Sequence, residues 1–188
     1  VAGNDGSAIA KSDAFLIDAD KNPNSYGVRL LSGIVPVGDA AALRESGCAL
    51  LVVLNDDIVS RLGGAPAAPI VYFGWQRNAT VEAATVVIPV THAVEMDATY
   101  INRQGIVQRT RRAVNPMGDA APGNQVLEKI AIALGKSIGT SMPVATFAAM
   151  AKAVPRMNGL DYKSVGSQGK SVQPEPAPAA AATAAEAK

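Results

Sequence analysis

The chain is poor in the residues that carry most enzyme chemistry. Its 188 residues contain one cysteine, Cys48, and one histidine, His92. A four-thiolate cluster or a zinc site of Cys and His ligands needs more than these two side chains can supply. Metal and iron–sulfur chemistry therefore belong to another segment or another chain, and the metal ligands expected here are none. Aromatic residues make up only 4% and net charge is only +1. The first means a core built mainly from Ala, Val, Ile and Leu. The second leaves no concentrated basic surface, so nucleic acid is not an expected partner. No apolar run approaches the eighteen or so residues of a membrane span, so no direct membrane insertion is expected. No charged-then-apolar leader is present either. The chain reads as soluble and cytoplasmic, and because it begins with Val1 instead of Met it reads as a piece of a longer polypeptide.

What the chain does have is a regular alternation of apolar runs and short capped helices. Ala49–Asn55, ALLVVLN, is a fully apolar strand, and Asn55 or Asp56 caps the helical turn DDIVSRLGG. APIVYFGWQ gives a second buried strand, Asn78 caps TVEAA, and TVVIPV gives a third strand. Three such runs joined by short helices predict parallel strands covered on both faces. Ala98–Thr110 reads as a hairpin whose loop, Arg103-Gln104-Gly105, puts glycine where a positive φ is needed. Further on, Asn124 caps a helix with Val126, Leu127, Ile130, Ala131 and Leu134 on one apolar face and Gly135 as its stop. A second helix runs from about Pro143 to Val154.

The fold class that follows is α/β: a doubly wound, mostly parallel sheet with flanking helices, a β-hairpin excursion and a disordered C-terminal tail. Residues 1–166 form the domain, and residues 167–188, Pro- and Ala-rich, form the tail. Nearer the start, Asp39 caps a short helix that ends at Gly47, Ala14–Asp20 is a short apolar run, and NPNSYG is a loop.

Motif by motif, the obvious chemistries fail. Leu134–Ser137, LGKS, ends like a phosphate loop, but the earlier glycine that loop requires is Ile130, and this Gly-Lys-Ser closes a helix instead of opening one. Asp18–Arg29 begins like a calcium loop but has Pro23 where glycine is required and Arg29 where a bidentate Glu is required. There is no G-x-S-x-G elbow to activate a serine. His92 and Glu95, three residues apart, lack a third partner and read as a structural hydrogen-bonding pair, and Cys48 reads as a buried, inert thiol. No catalytic residue is assigned. Sheets of this kind bind ligands beyond the carboxyl ends of their strands, which places any ligand at Asn55, Gln76 and the Pro89–Glu95 loop. Arg103, Arg109, Arg111 and Arg112 crowd the hairpin in sequence and read either as a solvated face or as a docking site for an acidic neighbouring subunit.

Thr80–Gln108 carries a resemblance. Its Thr80, Ala84, Val86, Val87 and Pro89, then Glu95, Thr99, Asn102, Gly105 and Gln108, match T-A-x-x-A-D-V-V-L-P and E-x-x-G-T-x-x-N-x-E-G-R-x-Q. This pattern resembles the molybdopterin-oxidoreductase-type domain in the C-terminal part of the large iron–sulfur subunit of the peripheral arm of respiratory NADH:quinone oxidoreductase, complex I. Weaker likeness extends over most of Val1–Gly169. Thr85, Ala98, Gln104 and Ile106 depart from the pattern, where the family has Asp, Gly, Glu and Arg.

The resemblance implies a structural part of that large subunit, supporting electron transfer from NADH to quinone without a redox centre of its own. Iron–sulfur clusters would lie in an N-terminal region of the subunit, no cofactor in this segment, and the partners would be other peripheral-arm subunits on the cytoplasmic side of the inner membrane. Two alternatives stay open. One is a fragment of a molybdopterin-dependent oxidoreductase of the formate dehydrogenase type, with Asn55, Gln76, His92 and Glu95 as candidate pterin contacts. The other is a free-standing α/β binding module.

Overall fold

A computed structural model describes residues 23–32 and 47–172. The expected helix at Asp39, the Ala14–Asp20 run and the tail beyond residue 172 lie outside the described residues. Two sheets organise the rest. In the first, β1 (Leu51–Leu54), β2 (Ile70–Gly74) and β3 (Val86–Pro89) lie side by side in chain order, all parallel. In the second, β4 (Ala98–Ile101) and β5 (Ile106–Thr110) form the hairpin, and β6 (Lys170–Ser171) adds to the other edge of β5. The mixed α/β architecture with a parallel sheet and flanking helices is the one the sequence predicts.

The parallel sheet packs one face on α2 (Ile58–Leu62) and α3 (Ala79–Ala83). Val53, Ile58, Leu62, Ile70 and Tyr72 form the core between them. The cap of α2 is Asp57, not Asn55 or Asp56. Its carboxylate accepts from the amide and hydroxyl of Ser60 and from the amide and hydroxyl of Thr80, at 3.4, 2.6, 3.1 and 2.9 Å. The Thr80 hydroxyl in turn accepts from the amide of Val59 at 3.0 Å. One carboxylate thus ties the two crossover helices together. Asn78 caps α3 as its sequence predicts.

On the opposite face the expectation of full cover fails. Val52 and Leu54 are exposed, because α4 (Gly123–Ala133) reaches that face with its first turn and not its length. The helix also departs from its reading at two points. Its N-cap is Pro122 without a side-chain bond, while the Asn124 amide donates across to the carbonyl of Ser141 at 2.8 Å. Leu127 and Leu134, expected on a buried stripe, are 45% and 72% exposed. Gly135, at φ +68°, ends the helix, and Lys136 donates its amide back to Ala131. Lys136 therefore sits in a helix stop, with none of the geometry of a phosphate loop.

The antiparallel sheet is the better buried half. Ile101, Val107, Phe147, Ala151, Met157, Val165 and Val172 form its core, with α1 (Ser25–Ser32), α5 (Pro143–Ala153) and α6 (Tyr162–Val165) packed around it. The loop expected at NPNSYG gives way to α1 from Ser25 onward. Asn24 accepts the amide of Ile101 with its side chain at 2.8 Å, and a Cβ on Gly27 would meet that same side chain. Residues that read as turn chemistry are here the close-packing surface of a helix against β4. The domain also runs further than residue 166. β6 pairs with β5, Val172 is buried and donates its amide to Gly105 at 2.7 Å, so the boundary at Ser167 falls too early.

Candidate functional site

All three parallel strands end at the same edge, and backbone bonds lock those ends together. Asn55 donates its amide to Phe73 at 2.8 Å and Val90 donates to Gly74 at 3.1 Å. Beyond β3 the chain pairs with the approach to α4, through the Val90–Ala121 bridge and a 3.1 Å bond from the Thr91 amide to Ala121. The carboxyl edge of the sheet and the first turn of α4 therefore enclose one space. This is a cavity of about 390 Å³ with Val52, Leu54, Phe73, Val90 and Leu127 among its walls and Asn55, Thr91 and Asn124 as its polar residues.

Two atoms around this cavity are unsatisfied. Thr91 is only 3% exposed and its hydroxyl has no partner, and the side-chain oxygen of Asn124 is buried without one either. A buried polar atom without a partner costs on the order of 1–3 kcal/mol, and such exceptions in a folded chain call for an explanation. Asn55 adds a second cost, being the non-glycine residue with positive φ, 51°, among the described residues. Two of the three buried side-chain atoms without a partner among the described residues thus lie at this edge, the third being Arg109 Nε in the antiparallel sheet.

Of the candidate residues read from the sequence, Asn55 lines this cavity, while Gln76, His92 and Glu95 follow the strands without lining it. Asn55 follows β1, Gln76 follows β2, and His92 and Glu95 follow β3. His92 and Glu95 do meet, but as a helix cap. The Glu95 carboxylate accepts the His92 amide at 2.8 Å, and the His92 ring nitrogen Nδ1 accepts the Val94 amide at 3.4 Å. That pairing orders the loop and leaves the imidazole packed edge-on to Trp75, with ring centroids 4.4 Å apart. Among the described residues, no three of His, Cys, Asp and Glu come together as a metal-binding group.

The arginines do not form a cluster. Arg103 lies in the hairpin turn, while Arg111 and Arg112 follow β5 at its other end, roughly 20 Å away at about 3.3 Å per residue. Arg109 faces inward. Its guanidinium bonds Asp97 at 2.7 Å and lies 4.2 Å over the Tyr162 ring, which itself stacks on Phe147. The Arg112 amide also donates to Asp97, at 2.8 Å. These bonds, the Arg112 amide first, hold the Asp97 carboxyl below its usual range. Arg109 is thus a structural clamp, and only Arg111 and Arg112 are exposed together.

Cys48 is half-buried, at the mouth of a separate cavity of about 280 Å³ shared with Leu51, Leu62 and Ala65. The thiol expected to be buried is thus only partly so, just before β1. Sequence reasoning missed Trp75, Thr91 and the role of Asn124. A lone tryptophan just past a strand end was the available signal for the first; nothing in composition marks the other two.

A plain match to known proteins accompanies this geometry. The family model described as molybdopterin oxidoreductase matches residues 39–170, which includes both sheets and the cavity. The alpha subunit of an F420-dependent formate dehydrogenase from Methanococcus maripaludis is 33% identical over 92 residues, 48% of this chain and 14% of that protein. A putative formate dehydrogenase of Bacillus subtilis is 33% identical over 84 residues, 45% of the chain and 9% of that protein. Another from Staphylococcus haemolyticus is 29% identical over 84 residues, 45% and 8%. The matched stretch thus spans a seventh or less of these relatives. From the extent of the family match, this chain belongs to the molybdopterin oxidoreductases.

Proposed function

We propose that the chain is a segment of a molybdopterin-dependent oxidoreductase of the formate dehydrogenase kind, and that the carboxyl edge of its parallel sheet helps to hold the pterin. The observation that carries this reading is the cavity at that edge, apolar walled, with the unpartnered Thr91 hydroxyl and Asn124 oxygen beside it. Its volume is in the range of small-molecule sites, whose usual form is an apolar slot with a few convergent polar groups. A pterin is a flat, apolar-faced ring with donors and acceptors along its edge, and the donor set here fits it. Asn55 and Asn124 offer side-chain amides that both donate and accept, and Thr91 a hydroxyl that does the same.

Bound in the whole protein, such a group supplies two-electron oxidation–reduction at its metal. The contribution of this chain is binding and orientation. The strand ends are fixed by the Asn55–Phe73 and Val90–Gly74 backbone bonds, and the His92–Glu95 cap orders the loop beside them. No residue here is assigned a proton-transfer or nucleophilic role. The test is pterin and metal content of the whole protein isolated from its native source. Stoichiometric pterin with molybdenum or tungsten is expected.

The second reading is that the chain is the C-terminal part of the large iron–sulfur subunit of complex I, a scaffold contacting other peripheral-arm subunits on the cytoplasmic side of the inner membrane. In that reading the iron–sulfur clusters lie in the N-terminal region and this segment holds no cofactor. The Thr80–Gln108 pattern favours it, with Arg111 and Arg112 as docking residues. Co-purification of other complex I subunits, with no molybdenum or tungsten, is the outcome that would select it over the first.

A further inference from the structure

Trp75 is the only tryptophan of the chain. It follows directly on Gly74, the last residue of the central strand, and is 51% exposed. Several apolar side chains of the described residues are as exposed, but Trp75 is the large aromatic among them and stands at the carboxyl edge of the parallel sheet.

The backbone that presents it is held from below. Tyr72, buried, lies so close to Gly74 that a Cβ there would come within 2.2 Å of its ring. The Tyr72 hydroxyl donates to the carbonyl of Gln76 at 3.4 Å and accepts from the Asn78 side-chain amide at 3.0 Å. Both ends of the turn carrying Trp75 are thereby anchored to one buried ring. From the side, His92 stands against the indole with the two planes at 84°, and His92 is itself fixed by its cap bonds to Val94 and Glu95. The indole is braced, pre-organised and open.

We propose that Trp75, at the carboxyl edge of the sheet beside the cavity and not among its lining residues, is a stacking platform for a planar fused heterocycle, the pterin ring. This rests on the pterin reading given above. Guanine carries the same 2-amino-4-oxo edge on a fused ring of similar size, so the shared chemistry is that edge on a flat two-ring body. Aromatic stacking tolerates either ring because both present a π face.

The experiment is a titration of the full 188-residue chain with neopterin and, separately, with guanosine monophosphate, read by calorimetry and by tryptophan emission, which reports Trp75 alone. The expected result is saturable quenching with the same midpoint as the heat. Trp75→Ala should weaken binding roughly tenfold or more, Trp75→Phe by less than about threefold, with the thermal midpoint of the apo chain unchanged in both. Quenching by guanosine monophosphate alone would keep the platform and assign it to a purine base. Heat without any change in emission, or unaltered affinity in Trp75→Ala, would overturn the platform while leaving pterin binding intact. Absence of both heat and quenching with either probe would overturn the platform, while the pterin reading stands or falls on the pterin and metal content of the whole protein.

Discussion

The two sheets of this molecule solve the same packing problem to different degrees. Around β4–β6, helices from both ends of the described chain close on the sheet, and Val107 and Met157 are fully buried in a continuous core. Around β1–β3, α2 and α3 cover one face while Val52 and Leu54 stay exposed on the other, and the strand ends carry a positive-φ Asn, an unpaired threonine and an exposed tryptophan. The open half leaves apolar and polar groups uncovered at the strand ends, where a ligand would sit, while the closed half has one buried atom without a partner, Arg109 Nε. Sites of strain and unmet bonding are the expected cost of a binding edge.

The largest effect that could break this contrast lies in the closed half. Met157→Ala removes a fully buried side chain next to Val107 and should destabilise by about 2–5 kcal/mol, seen as a lower urea midpoint. A loss below about 1 kcal/mol would mean that the antiparallel core does not carry the fold. Next comes the link between the two crossover helices. Thr80→Val, at a buried residue, leaves the part-buried Val59 amide and one Asp57 lone pair unmatched, and should cost roughly 1–3 kcal/mol by the same measurement.

Acid probes the same link and its counterpart in the other half. The Asp57 carboxyl is held below its ordinary value of 3.8, chiefly by the Ser60 hydroxyl and also by Thr80, and Asp97 likewise, chiefly by the Arg112 amide and then by Arg109. A carboxyl whose folded pKa lies below its unfolded value contributes stability that is complete above the unfolded value and is lost as pH falls through the folded one. Stability should therefore be flat with respect to these groups from about pH 7 to about 5 and fall below about pH 4. Asp57→Asn should reduce that acid slope, and denaturant melts at about pH 3 and about pH 7 on both forms measure it. An unchanged slope would remove Asp57 from the explanation.

The smallest effect is the most telling for the open half. Thr91→Val replaces a buried, unpartnered hydroxyl with an apolar group of the same shape, so the thermal midpoint should hold or rise by an amount equivalent to less than about 1 kcal/mol. Neopterin affinity should nonetheless fall. A clear loss of stability would show that the hydroxyl has a structural partner and no ligand role.

How far the sequence discloses all this differs between the halves in the opposite sense. The open half was legible. LVVL, IVYF and VVIP are apolar runs punctuated by Asn, Gly and short capped helices, and Asn55, Gln76 and His92 follow the carboxyl ends of the three strands as their places in the sequence imply. The closed half was not. β6 is only Lys-Ser, without alternation, and is placed by Gly169, where a Cβ would come within 2.7 Å of the Val107 carbonyl. α1 and its approach carry Asn24, Ser25 and Gly27, local signs of a turn, and become helical because Tyr26 and Leu30 pack on the core. The arginines looked clustered because sequence distance hides the length of a hairpin. Trp75 and Thr91 owe their interest to exposure and to a missing bond, and both are tertiary properties that no pattern of residues encodes.

The central claim is that the open edge belongs to a pterin enzyme, and the most direct measurement is the pterin and metal content of the whole protein purified from its native source. The expected result is stoichiometric pterin with molybdenum or tungsten in the purified polypeptide. Preparations free of pterin, molybdenum and tungsten that bring down other complex I subunits would contradict it.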